Sequence, residues 1–458
     1  MSENDLIDDQ DGYDLDQSLA PAVRLALAAG SSDRLNDLFE PLHAADIADL
    51  LEQLDHGQRR ELIVLTPRVV DGDVLSELDE SIREDIIDFL PENILTEAVR
   101  DLDSDDVVDL LEDLNEPQQE AILDVLEDAD RVAVEQSLSY PEESAGRLMQ
   151  REVVMGPEHW TVGQAIDFLR SSEGLPEQFY HMILVDPRMK PTGYVTLGRL
   201  LGARREVPLK DITEDSFRVI PADQDEGEVA YAFNQYHLIS APVVDENDRL
   251  VGVITIDDAM IVLDEEHEED ILRLAGVGEG GSLTDRVIRT TRNRLPWLAI
   301  NLVTAILASL VIAMFEDAIA QVVALAVLMP IVASMGGNAA TQSMTVAVRS
   351  IATKDLTASN VWRVIRRECA VGLINGLIFA IVMAVVGVIW FGSPLLGAVI
   401  AAAMVINLVV AGLAGTVIPV ILDRLGIDPA LASGAFVTTV TDVVGFFAFL
   451  GLAAAVLL

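Results

Sequence analysis

Two unlike patterns of apolar positions divide the chain near residue 270. Between Leu42 and Leu126 a leucine recurs every twelve residues, at Leu42, Leu54, Leu78, Leu90, Leu102, Leu114 and Leu126, and Thr66 breaks the register once. The following residue is often one that starts or stops a helix: Asp55, Pro67, Asp79, Pro91, Asp103, Asn115. LHAADIADLLEQL and LDSDDVVDLLEDL read as copies of one unit. Short helices repeated in this way cannot bury their apolar faces alone, so the spacing predicts a small all-α superhelix over 21–138, behind an acidic tail (1–20) expected to be disordered. From about residue 140 the pattern becomes strand-like, at Tyr180–Asp186 and Gly193–Thr196, and again at His237–Asp245 and Leu250–Asp258. The repetition predicts a pair of α/β modules over 139–262. Beyond them, Leu295–Phe315, Ala318–Val348 and Cys369–Leu422 are free of charge for 21, 31 and 54 residues, and Pro429–Leu458 carries only Asp442. About 20 apolar residues cross a bilayer as a helix. The longest stretch is interrupted by the turn signal Phe391-Gly392-Ser393-Pro394, so five spans are predicted over 295–458, joined to the α/β pair by a connecting helical segment, 263–294. The predicted fold class is a multidomain membrane protein: all-α superhelix, α/β pair, connecting helix and five-helix α transmembrane domain.

Charge sharpens this division. The 458 residues carry a formal net charge of −45, with 75 Asp and Glu against 30 Lys and Arg. Residues 271–458 hold only 9 of those acids and 11 of the bases, so the acidic excess lies entirely in the first 270 residues. That field argues against nucleic-acid binding, since no basic patch could survive in it. A single cysteine, Cys369, excludes an intramolecular disulfide and a Cys-rich zinc site. The bases of the second half alternate between loops. Arg286, Arg289, Arg292 and Arg294 precede the first span, Arg349, Lys354, Arg363, Arg366 and Arg367 separate the second and third, and Arg424 separates the fourth and fifth. The opposite loops contain Glu316, Asp317 and no base. This asymmetry predicts a cytosolic N-terminal half and an external C-terminus. The acids of the superhelix, among them Asp46, Asp49, Asp105, Asp106, Asp109, Glu112 and Asp113, are expected on its outer faces, where their mutual repulsion calls for counterions.

Three groups carry candidate chemistry. In the connecting segment, Glu266, Glu269 and Asp270 fall on one helical face, a spacing at which like charges repel. Such a face is either a solvated linker or a divalent-cation site, since hard cations prefer clustered carboxylates and water; His267 fits either. In the second span, Gly336-Gly337-Asn338 follows Pro330, a combination expected to loosen helical pairing and expose carbonyls, though glycine pairs also serve close helix packing. In the fifth, Asp442 lies about 21 Å past Asp428 along a helix rising ~1.5 Å per residue, near the bilayer midplane. An ionisable residue at that depth is expensive and points to function.

The apolar strand, charged turn, strand and Gly-x-x-Thr-x-x-Asp pattern resembles the CBS module, closely in the second copy and less so in the first, where Arg199 replaces the Asp. The CBS resemblance implies that a nucleotide such as ATP would rest on Thr255 and Asp258. The whole order, with PxxxxxGGNxxxQS and Asp-Pro-Ala followed by Thr-Asp-Val-x-Gly, resembles the MgtE family of magnesium channels over essentially all of the chain beyond the first twenty residues. The resemblance implies a homodimer in a bacterial inner membrane, with the ion path lined by the second and fifth spans. Asp442 would hold hydrated Mg²⁺, with Thr438 and Gly336-Gly337-Asn338 as pore lining, and Asp428 would sit at the cytosolic mouth. The connecting segment would be a plug, and Glu266, Glu269, Asp270 and Asp258 would bind regulatory Mg²⁺ that closes the pore. Two departures are Ala340, where the family often has Gly, and Ile261, where it often has an acid. The chain has no GxxxxGK[ST] motif of an ATP-driven pump. A secondary exchanger of Mg²⁺, Co²⁺ or Mn²⁺ and a non-transporting CBS membrane sensor stand as alternatives.

Overall fold

The structure is a computed structural model, and it describes residues 18–458 except 101, 113, 173, 174, 177, 178, 215, 216 and 278–286. The predicted tail falls almost wholly outside the described residues, as do Asp113 and Arg286. The chain divides into two compact units, Met1–Glu265 and Glu266–Leu458.

In the first unit, short helices such as Ala44–Glu52, His56–Leu65, Ser104–Glu112 and Glu116–Leu123 stack around one core. The repeat leucines build it: Leu54, Leu78, Leu90 and Leu114 are buried, and Leu42, Leu102 and Leu126 pack at its margin. Asp55 and Asn115 accept from the backbone N–H three residues on and cap their helices, with Gln58 and Gln118 reaching back. Thr66 breaks the register because its hydroxyl turns back to donate to the Leu62 carbonyl (3.1 Å), and Pro67–Val69 then forms a single 3₁₀ turn. The close succession of helices leaves carbonyl ends inside the stack, and polar side chains five residues after the repeat leucines meet them. Arg59 donates to the carbonyls of Leu51 (2.9 Å) and Leu54 (3.1 Å), Arg83 to that of Leu78 (3.0 Å), and Gln119 to those of Leu111 (2.7 Å) and Leu114 (3.0 Å).

The α/β pair consists of two three-stranded sheets of identical topology. β1 (Met155–Pro157) lies parallel to β2 (His181–Val185), which is antiparallel to β3 (Pro191–Thr196). β4 (Ile220–Pro221), β5 (Ser240–Val244) and β6 (Leu250–Thr255) repeat this order. Even the register irregularity recurs, between Leu184 and Val185 and between Val243 and Val244. The run from His237 becomes a strand only at Ser240, because His237 ends the preceding helix in the left-handed conformation, φ 54°. β6 passes directly into a connecting helix, Ile256–Leu274, which continues without a break through residue 262.

The second unit contains, among the described residues, five helices long and apolar enough to cross a membrane. They are Val287–Ala313, Ala324–Ala352, Val361–Phe391, Pro394–Arg424 and Pro429–Leu457, named first to fifth below. The predicted second span begins six residues late, since Glu316–Gln321 is a separate short helix ending at Val322. The predicted break between the third and fourth spans is a turn in which Gly392 adopts φ 65° and Ser393 caps the next helix. Gly376 and Gly387 of the third helix let the fourth come near: a Cβ there would lie 3.0 Å and 2.8 Å from the Cα atoms of Val405 and Gly397. Large apolar side chains such as Leu302, Ile381 and Ile389 are exposed on the outside, which suits lipid, and Trp362 and Trp390 stand at opposite ends of the third helix, as at the two membrane interfaces.

Candidate ion pathway and acidic surfaces

Asp442 occupies the middle of the fifth helix. Its chain neighbours spend their hydroxyls on their own helix: Thr438 donates to the Gly434 carbonyl (2.9 Å), and Thr441 to those of Thr438 (3.0 Å) and Val437 (3.2 Å). Asp442, partly exposed, has no hydrogen bond or ion pair among the described residues. The second helix packs against the fifth through Ala340, Met344, Val348 and Val437. It runs unbroken through Pro330 and Gly336-Gly337-Asn338, contrary to the loosening expected from the sequence. The two glycines have different surroundings. Gly336 is buried, and a Cβ there would overlap the amide of Asn407 from the fourth helix, whereas a Cβ at Gly337 would meet nothing within 4 Å. The Gly337 carbonyl accepts from Thr341 (3.0 Å), and Asn338 is exposed. Ala340 is buried with its carbonyl against Gly415 of the fourth helix.

At the other end of the fifth helix, Asp428 caps it by accepting from Ala430 N–H (2.7 Å). Arg273 of the connecting helix reaches Asp428 (3.2 Å) and Glu269 (2.6 Å). Burial raises the pKa of the Asp270 carboxyl and nearby Asp428 adds to the rise, while Arg273 and His267 oppose it. Glu269, Asp270 and Asp428 thus gather around a guanidinium, and Glu266 stands more exposed on the same helix.

Within the first unit the helix Ser104–Glu112 docks on the start of the α/β pair. Arg151 N–H donates to Ser104 Oγ (2.8 Å), Ser104 donates to Glu152 (2.9 Å), and Arg147 pairs with Glu112 (2.6 Å). This docking corrects the expectation that Asp105 and Asp106 lie on outer faces: both are partly buried against Asp258. Burial, followed by the Asp258 charge, pushes Asp106 up to about 7 and Asp105 well above the usual carboxylate range. Burial likewise raises Asp258 to about 6, although Thr255 opposes the rise by donating to it (2.6 Å). Glu226 is raised to about 7 by burial, then by Glu143, Glu265 and Glu112. Asp109 pairs with Arg83 (2.7 Å) and Asp46 accepts from His43 N–H (3.3 Å), so these two acids do have protein partners. Among the described residues no three His, Cys, Asp or Glu side chains converge in a metal-holding arrangement.

Three participants escaped the sequence reading. Arg273 stands alone in ILRLAGVG, Asn407 is one polar residue in a long apolar run, and Glu368, which accepts from Ser343 (2.9 Å), sits at the edge of the third span. Two signals were available: the charge-free apolar context around Asn407, and the i,i+4 spacing of Glu269 and Arg273.

Five apolar helices with a mid-helix acid, preceded by an acidic superhelix and a CBS pair, define a multi-pass membrane protein with a regulatory region. Residues 329–452 match the MgtE family, described as a divalent cation transporter, residues 42–143 match the MgtE intracellular N domain, and residues 209–265 match the CBS domain. The chain is 35% identical over 325 residues to the magnesium transporter MgtE of Bacillus subtilis, covering 70% of this chain and 72% of that one. It is 32% identical over 444 residues to the magnesium transporter MgtE of Thermus thermophilus, covering 96% and 98%. A crystal structure of the cytosolic domain of the Mg²⁺ channel MgtE in complex with ATP matches at 30% identity and a TM-score of 0.49, over 53% of this chain and all of that one. The chain belongs to the MgtE family.

Proposed function

We propose that the chain is a Mg²⁺ channel of the plasma membrane, a homodimer whose path runs along the second and fifth helices and which cytosolic Mg²⁺ closes. The observation that carries this reading is Asp442, an acid without a protein partner among the described residues, at the middle of a helix that is otherwise uncharged. Mg²⁺ gives up water reluctantly, so one carboxylate per subunit, with Thr438 and the Gly336–Asn338 segment beside it, can hold the hydrated ion without stripping it. A single ring of acids attracts the ion yet releases it. The alternation of bases between loops supports a cytosolic first unit and an external C-terminus.

Closure follows from differential binding: Mg²⁺ inhibits if it binds the closed arrangement more tightly. Two clusters supply the charge. Asp105 and Asp106 are repelled by Asp258 within the first unit, and Asp270 by Asp428 within the second, where Glu269 and Glu266 add further negative charge. Divalent cations would neutralise both and fix the connecting helix at the head of the fifth helix. Thr255 and Asp258 are the groups to which a nucleotide such as ATP would bind, and Asp258 would then exchange its Thr255 bond for a ribose hydroxyl.

Mg²⁺ uptake into liposomes tests the reading. Wild-type flux is expected to fall on raising cytosolic-side Mg²⁺ to millimolar levels, and Asp442→Ala is expected to abolish flux. Retained flux in Asp442→Ala overturns the pore assignment, flux indifferent to cytosolic Mg²⁺ removes the gate, and dependence on a Na⁺ or H⁺ gradient makes the protein an exchanger.

A further inference from the structure

Asn407 is fully buried in the fourth helix, and its amide is the point at which three membrane helices meet. Buried Thr416 and Thr441 satisfy their hydroxyls on their own helices. Asn407 instead reaches across, donating through Nδ2 to the Val332 carbonyl of the second helix at 2.8 Å. In a regular ladder that carbonyl serves Gly336 N–H, so the amide attaches at the turn carrying the first residue of Gly336-Gly337-Asn338. The donor orientation follows from chemistry, since Oδ1 turned toward a carbonyl would be repelled. The same amide fills the side-chain space of two glycines. At Gly336 a Cβ would overlap it, and at Gly445, one turn past Asp442 on the fifth helix, a Cβ would lie 2.8 Å from Nδ2. Oδ1 has no hydrogen-bond partner among the described residues. A leucine would occupy similar volume without that desolvation cost, so apolar packing alone does not account for an amide here.

The structure assigns Asn407 as a positioning residue for ion selection: its amide, clasped between Gly336 and Gly445, fixes the register of the second helix against the fifth and so the level of Gly336-Gly337-Asn338 relative to Asp442. This inference rests on the pore reading above. Asn407 itself is buried and does not touch the ion. Losing the clasp lets the two helices slide by a fraction of a turn, which changes how closely a hydrated ion must fit and not only how many molecules conduct.

The test compares Mg²⁺ and Co²⁺ uptake by full-length wild type, Asp442→Ala, Asn407→Ala, and Asn407→Ala combined with Gly336→Ala, whose new methyl enters the vacated space. The ratio of Mg²⁺ to Co²⁺ flux is the decisive readout, because a loss of folded protein lowers both fluxes in proportion. The ratio is expected to change by about tenfold, roughly 1.4 kcal/mol of lost discrimination, in Asn407→Ala and to stay changed in the double variant. An unchanged ratio in a folded variant overturns the inference, as does failure of both variants to fold, which would make Asn407 a stability residue. Absent wild-type flux, or flux retained by Asp442→Ala, removes the pore reading and this inference with it. An unchanged ratio beside a dead Asp442→Ala removes the inference alone.

Discussion

A buried arginine in a stack of short helices is costly unless it finds acceptors; Arg59 shares its Nε–H between the carbonyls of Leu51 and Leu54, and its Nη1 lies 3.6 Å from Asp85. Replacing Arg59 with Ala removes the donor to the Leu54 carbonyl, while that of Leu51 keeps the Leu54 N–H (3.2 Å), and the expected cost is about 1–3 kcal/mol, read as a lower midpoint in thermal or urea unfolding. Arg59→Lys rescues only in part, because one ammonium cannot both take the place of Nε–H between the two carbonyls and stand near Asp85 as Nη1 does. A midpoint equal to wild type would mean that water reaches these carbonyls. The same residue-scale logic governs Asn407 and Arg273, whose partners Val332 and Asp428 lie 75 and 155 positions away in sequence. No local pattern announces such partners, whereas Asp442 is conspicuous because every residue within a turn of it is uncharged.

At the scale of elements, the second membrane helix keeps its pairing through a proline and two glycines. The proline omits one donor, while the neighbouring fourth helix supplies packing and an amide to the same stretch. The loosening predicted from composition holds for an isolated helix, not one clasped by neighbours. The connecting helix has the opposite character, with acids gathered where an isolated helix would shed them, held by Arg273, which pairs with Glu269 and with the capping Asp428. In wild type, Mg²⁺ is expected to protect residues 258–270 from protease, and Glu266→Gln, Glu269→Gln and Asp270→Asn together are expected to abolish that protection. Arg273→Gln is expected to do something different: weaker protection without metal, and saturation at lower Mg²⁺, because carboxylates relieved of a guanidinium attract a divalent ion more strongly. Unchanged protection in the triple variant overturns the role of this helix as a Mg²⁺-held plug.

At the scale of the molecule, the acidic excess sets how stability depends on pH. Burial and neighbouring acids raise Asp106 and Glu226 to about 7 and Asp258 to about 6. Between roughly pH 4 and 7 the folded chain therefore holds protons that the unfolded chain, with carboxyls near 4, has released, so stability rises as pH falls through 7 and is lost as pH rises. Without divalent ions, the unfolding midpoint of the first unit is expected to be higher at about pH 5.5 than at about pH 8, and Mg²⁺ is expected to narrow the gap at the higher pH by supplying the missing positive charge. A midpoint that is higher at pH 8 without Mg²⁺ would show that these acids are solvated.

The sequence by itself determined everything that rests on period and composition: the twelve-residue helical stack, the doubled strand pattern, five apolar spans and the placement of charge in the first half. It also displayed Asp442 and the Gly-Gly-Asn segment, since rare residues in a uniform context need no structure to be seen. Only the tertiary structure decided which face each acid presents, turning Asp105 and Asp106 inward toward Asp258 and leaving Asp49 outside. It alone brought Asp428 to Arg273, and it gave Gly336 to packing while Gly337 kept an open side. The physical reason is common to all of these. Period and hydropathy act on neighbours along the chain, whereas charge pairing and close approach of backbones depend on distances that exist only once remote segments have packed.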